Sequence, residues 1–167
     1  MLKKEWILLV MMVLLTCACI AQKANVPVEV VKMDWYQKLR KSSSDTTYIL
    51  NFWATWCVPC VAELPYFEQI HQNYADRKVK VILVSLDYVK QKEKLLEPFI
   101  QKKKIHSKVV LLNEPNYNAW IDQIDPSWSG TLPATQIFNP KYSRLFFIEG
   151  ETTFAILDSL TLNSIRP

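Results

Sequence analysis

Cys57 and Cys60 stand three residues apart in the stretch NFWATWCVPCVAELP, residues 51–65. Two thiols at that spacing admit three chemistries: a structural disulfide, half of a metal site, or a dithiol/disulfide redox pair. A bridge across two intervening residues closes too small a loop to constrain the unfolded chain much, so stapling the fold is a poor reason for it. A structural zinc site needs four ligands, and the sequence has no second cysteine pair of the right kind. His71 and His106 lie on different elements in charged surroundings and read as surface histidines, so no metal is expected. A copper carrier stays open as a non-enzymatic alternative. Redox chemistry is the favoured reading.

That chemistry needs one thiolate and one partner held in reserve. The pattern places Cys57 at the first turn of a helix, where unpaired backbone N–H groups favour negative charge. Thiols in such positions have pKa values of roughly 3.5 to 7.5, against about 8.5 for a free cysteine. Cys57 is then the nucleophile, and Cys60, nearly a turn further in, the thiol that displaces a captured client. Pro59 fits the first helical turn, where its missing N–H costs nothing. Pro65 falls inside the helix and is expected to kink it. Phe52 and Trp53 read as core aromatics of a strand, whereas Trp56, in the turn beside the thiol, reads as an exposed lip for a client.

A helix and a strand must position these groups, and the patterning supplies them. Residues 48–53, YILNFW, form the continuous aromatic and β-branched run of a strand buried on both faces. From about residue 57 to 74, Val61, Leu64, Phe67 and Ile70 recur at helical spacing, with Glu68, Gln69 and Gln72 turned outward. Before this unit come a short strand at residues 26–31 and a short helix at 33–41. After it come a buried strand at 79–86 and a helix at 90–103 with Leu95, Leu96, Phe99 and Ile100 on one face. A strand at 109–113, a short helix at 117–124 and a turn-rich loop at 125–130 follow. The chain closes with strands at 134–138 and 144–148 and a helix at about 153–164. This order gives an α/β fold, a central mixed β-sheet covered by helices on both faces.

The chain has 167 residues, half of them apolar and 22% charged, as expected of one globular domain. Residues 1–21 have the layout of a secretory signal: Lys3 and Lys4, an apolar run, then small residues. That run is shorter than the roughly 20 residues that span a bilayer. Cleavage after Ala21 would leave residues 22–167 as a single exported domain, while Cys17 or Cys19 offers an alternative lipid anchor. In either case Cys57 and Cys60 are the thiols of the domain itself. Removing Lys3, Lys4 and Glu5 lowers the formal net charge from +4 to +3, too mild a surplus to imply a polyanionic partner. The run from Lys102 to Lys104 complements a helix C-terminus, so no nucleic acid is expected. With only Gly130 and Gly150, dinucleotide fingerprints and phosphate loops are excluded, and no cofactor is expected.

FWATWCVPC at residues 52–60, with Glu63 and Pro65 after it, resembles the thioredoxin-like superfamily, and within it the exported TlpA/ResA-like thiol:disulfide oxidoreductases. GTLPATQIF at residues 130–138 is similar to the family segment in which a cis-proline faces the two thiols. The resemblance implies a thioredoxin-like fold and a cis bond before Pro133, with Thr131 and Leu132 offering backbone groups to an extended client. It implies a proton-handling role for Glu63 beside Cys60, because Asn51 is neutral where ordinary thioredoxins carry a buried acid. It also implies a periplasmic or cell-envelope location, disulfide-containing or dithiol client proteins there, an apocytochrome among the candidates, and a membrane electron donor. A peroxide-reducing relative of the same fold is the second enzymatic alternative. A client-binding module without redox activity is a further one.

Overall fold

The computed structural model describes residues 27–166. The leader, its cleavage site and the anchor candidates Cys17 and Cys19 lie outside the described residues. Six strands form one sheet: β1 (Glu29–Val31), β2 (Thr47–Trp53), β3 (Val79–Ser85), β4 (Lys108–Leu112), β5 (Ala134–Asn139) and β6 (Arg144–Glu149). Their spatial order is β1-β4-β3-β2-β5-β6. The first four run parallel, while β5 is antiparallel to β2 and β6 to β5. The helices are α1 (Met33–Arg40), α2 (Val58–Asn73), α3 (Glu97–Lys103), α4 (Ile121–Ile124) and α5 (Phe154–Ser164).

β2 is the centre of the sheet and is buried at every residue, which is why its sequence shows no polar alternation. Successive side chains still point to opposite faces. Ile49 and Trp53 join Phe67 and Ile70 of α2 and Leu157 of α5 in one core. Tyr48, Leu50 and Phe52 join Tyr36 of α1 and Ile121 of α4 in the other. The sheet is thus covered on both faces. Phe67 is fully buried in the first core, so Phe67→Ala is expected to cost about 3–5 kcal/mol in urea unfolding, as deletions of buried aromatics do.

Two elements differ from the patterning. The helix expected at residues 90–103 is broken into a 3₁₀ turn (Val89–Gln91), a π-helical turn (Lys92–Leu96) and α3. Pro98 has no N–H to give Lys94, and the Glu97 N–H instead bonds the Lys92 carbonyl, the wider π pattern. This turn buries Leu96 completely and leaves Leu95 exposed, so those two leucines do not share a face. The short helix expected at residues 117–124 is split at Trp120, whose φ of −136° is not helical, into a 3₁₀ turn (Tyr117–Ala119) and α4. α2, in contrast, runs unbroken through Pro65, which sits on its exposed side.

Candidate active site

β2 ends at Trp53, and the chain turns at once into α2, so the loop between them lies at the C-terminal end of the central parallel strands. The Leu86 N–H donates to the Trp53 carbonyl at 2.8 Å, and the Cys57 N–H to the Ala54 carbonyl at 3.1 Å. Cys57 is the N-cap of α2, in extended conformation, and its Sγ accepts the Cys60 N–H at 3.3 Å. The cap position that serine or aspartate usually fills is here filled by sulfur. Pro59 lies within the first turn. The two sulfurs form a disulfide, with an S–S distance of 2.00 Å and Cα atoms 5.3 Å apart. Cys57 retains 7% exposure and Cys60 none. Beside them Trp56 is 60% and Val58 79% exposed. A sulfur with a trace of exposure, a sealed one behind it and exposed apolar side chains beside them make up an arrangement that suits stepwise thiol exchange.

Glu63 follows Cys60 by three residues on α2, a spacing that puts both on one helix face. It is not a surface glutamate: 2% of it is exposed. Its Oε1 accepts Asn51 Nδ2 at 2.8 Å, and its Oε2 accepts the Thr152 N–H at 3.0 Å. Burial pushes its carboxyl up to about 7, opposed by those two hydrogen bonds and helped slightly by Glu151. Asn51, itself wholly buried, also donates to Thr135 Oγ1 at 3.2 Å. The Asn51 Oδ1 and Thr152 Oγ1 atoms are buried without a hydrogen-bond partner among the described residues. Thr152 was invisible in the sequence, since it is distant in the chain and binds through its backbone.

The Leu132–Pro133 peptide bond is cis, and the Pro133 carbonyl accepts the Gly150 N–H at 2.8 Å. Ahead of it, the loop of Ser129, Gly130 and Thr131 wraps around the carboxylate of Glu149. The Ser129 N–H and hydroxyl and the Thr131 N–H all donate to that group, and they hold its carboxyl below the usual range. Gly130 makes the wrap with φ of +93°, a region that glycine enters without penalty. The Thr131 carbonyl accepts Trp128 Nε1 at 2.9 Å. Both backbone groups of Thr131 are thus engaged within the chain, the N–H by the exposed Glu149 carboxylate, contrary to the expectation that they are offered to a client. Leu132 alone of the pair has an N–H and C=O outside any hydrogen bond among the described residues. Glu149 was missed because nothing in the chain near it marks a loop eighteen residues earlier as its partner.

Among the described residues, no three His, Cys, Asp or Glu side chains come together as a metal site. The two histidines stay apart from the thiols. His71 is half-buried on α2, and the His106 backbone N–H caps Glu68 at 2.7 Å.

Comparison with known proteins sets this geometry among relatives. A thiol-disulfide oxidoreductase ResA from Oceanobacillus iheyensis is 51% identical over 39 residues, 23% of this chain and 20% of that protein. The sporulation thiol-disulfide oxidoreductase A of Bacillus subtilis is 36% identical over 63 residues, 38% of each chain. The chain thus matches less than two-fifths of the length of these curated relatives. The crystal structure of StoA from Bacillus subtilis superposes with a TM-score of 0.56 and 26% identity, covering 71% of this chain and 84% of that one, and the shared architecture is the thioredoxin-like α/β fold. Residues 28–143, from the approach to β1 to the hairpin between β5 and β6, match the AhpC/TSA family, and the chain belongs to that family.

Proposed function

We propose that this protein is an exported thiol:disulfide oxidoreductase that reduces disulfides of envelope proteins. The observation that carries the reading is the Cys57–Cys60 disulfide at the N-terminus of α2, with a trace of exposure left to the outer residue and none to the inner one. In the reduced protein the Cys57 thiolate attacks one sulfur of a client disulfide and releases the other as a thiolate. Glu63 takes the proton from the Cys60 thiol, and the Cys60 thiolate then attacks Cys57 Sγ. The intramolecular disulfide forms, and the client leaves as a dithiol, richer by two electrons and two protons, one passed on from Cys60 through Glu63 and one from water. A membrane dithiol donor then returns the pair to its reduced form.

Trp56, Pro59 and the Leu132–Pro133 segment form the client-facing surface in this reading. Trp56 supplies apolar contact, and Leu132 pairs with an extended strand of the client. Thr131 acts by shaping that segment, since its own backbone groups are engaged. Export rests on the leader-like residues 1–21, which would leave residues 22–167 as the working domain.

Equilibration of residues 22–167 with glutathione couples tests the direction. A reductase is expected to titrate nearer to about −270 mV, the potential of thioredoxin, than to about −120 mV, where strong dithiol oxidants lie. A midpoint at the oxidising end would reverse the proposed direction, and failure to exchange with glutathione at all would remove the activity. Binding of copper or of an unfolded client by the double cysteine variant would favour a non-enzymatic module. Peroxide turnover would favour a peroxidase.

A further inference from the structure

β3 ends in VS and continues with Leu86 and Asp87. An acid following a strand of buried aliphatics would ordinarily turn to water, yet Asp87 is 3% exposed. Its carboxylate faces donors. The Thr55 N–H lies 3.1 and 3.3 Å from its two oxygens, the Thr55 hydroxyl 2.6 Å from Oδ1, and the Ser85 hydroxyl 2.8 Å from Oδ2. The Asp87 N–H donates to Ser85 Oγ at 3.1 Å. No ion pair among the described residues includes Asp87, so dipoles alone balance the group. Tyr117 is close enough to sense it: burial chiefly, and then Tyr88 and Asp87, push its hydroxyl up.

Thr55 is two residues before Cys57, inside the turn closed by the Cys57 N–H on the Ala54 carbonyl. The turn that presents the outer sulfur is therefore fastened to β3 at one point by a carboxylate. Nothing in the thiol cycle above uses that group. A buried carboxylate is costly unless its hydrogen bonds are satisfied, and here every donor but one comes from the active-site turn.

We propose that Asp87 is a positioning residue for the Cys57–Cys60 pair: its carboxylate ties Thr55 to the end of β3, fixing the turn that presents Cys57, and its charge under that turn opposes the Cys57 thiolate. The second effect makes the dithiol a stronger reductant, because a pair whose thiolate is less stabilised gives up its electrons more readily. This deepens the reading of the pair as a reductase and rests on it.

Two variants with opposite expected signs test the proposal. Asp87→Asn keeps the shape and removes the charge. It is expected to lower the pH at which Cys57 alkylation is half-maximal and to shift the glutathione equilibrium about tenfold toward the dithiol, or about 30 mV. Thr55→Val keeps the charge and removes its shortest hydrogen bond. It is expected to raise the alkylation pH and shift the equilibrium toward the disulfide. A merely structural carboxylate would move both variants the same way or neither, and either result overturns the proposal. Should Asp87→Asn not fold, the near-isosteric Thr55→Val decides alone, with an unchanged or lowered alkylation pH overturning it. A wild-type protein inert toward glutathione would remove the oxidoreductase reading, while the alkylation shifts would still report on Asp87.

Discussion

Replacing Cys57 by serine is expected to abolish disulfide reduction, whereas replacing Cys60 by serine should preserve the first attack and stall the second. The asymmetry follows from where the two sulfurs sit. Cys57 is the partly exposed N-cap, and its sulfur already receives an amide N–H. Cys60 is sealed from solvent and bonded to Cys57. A serine hydroxyl at position 57 is not ionised at neutral pH, so reduction of a small disulfide should fall by about a thousandfold or more, the scale on which losing a covalent nucleophile acts. With Cys60→Ser, incubation with an oxidised client should give a stable adduct, seen by mass spectrometry as one client covalently attached at Cys57. Dithiothreitol should release it. Adducts forming as fast on Cys60 in the Cys57→Ser variant would mean that the burial difference does not assign the roles, and the order of attack would have to be reversed. Because the bridge spans so few residues, its reduction should change unfolding stability little.

How much of this was legible in the sequence depends on the range of the interaction. β2 and α2 were readable because each carries its own pattern, a continuous apolar run and a helical apolar stripe. The placement of both thiols followed directly, as did the exposure of Trp56, which no partner in the chain was required to explain. The break in the helix at residues 90–103 had a local cause in Pro98, but apolar residues at 95, 96, 99 and 100 satisfy a helical period whether or not the turn is widened. What the chain could not show were contacts made by carboxylates across long separations. Asn51 and Glu63 are twelve residues apart and belong to neighbouring elements, so their pairing could be expected. Thr152 on Glu63, Glu149 on Thr131 and Asp87 on Thr55 join segments brought together only by the sheet. Thr131 is the clearest case. Its position beside Pro133 promised a free backbone edge, but Trp128 and Glu149, one on each side, take both of its groups.

Glu63→Gln is expected to act on both catalysis and stability, in opposite directions at alkaline pH. In the wild-type protein the carboxyl titrates at about 7, well above its ordinary 4.5, chiefly because it is buried. The rate of client release should therefore change with pH around that value. Glutamine cannot carry the Cys60 proton, so this step should vanish and the rate should fall by about a hundredfold or more, the usual scale of general acid–base catalysis. Stability follows from the same shift. Between pH 4.5 and 7 the folded protein holds a proton on Glu63 that the unfolded chain has lost, so unfolding free energy falls as pH rises through that window. The loss for a shift of this size is roughly 3 kcal/mol. It is complete above pH 7, where the charged carboxylate must be kept out of water. A neutral amide avoids that cost and can still accept the Thr152 N–H, while the Asn51 amide can turn so that its unpaired Oδ1 receives the new N–H donor. Denaturant titrations of the oxidised proteins should accordingly show the wild type losing stability from pH 5 to pH 8 and the Glu63→Gln variant nearly flat. If the two curves ran parallel while client release kept its pH step, the Cys60 proton would have to pass to another group, and Glu63 would be a structural acid.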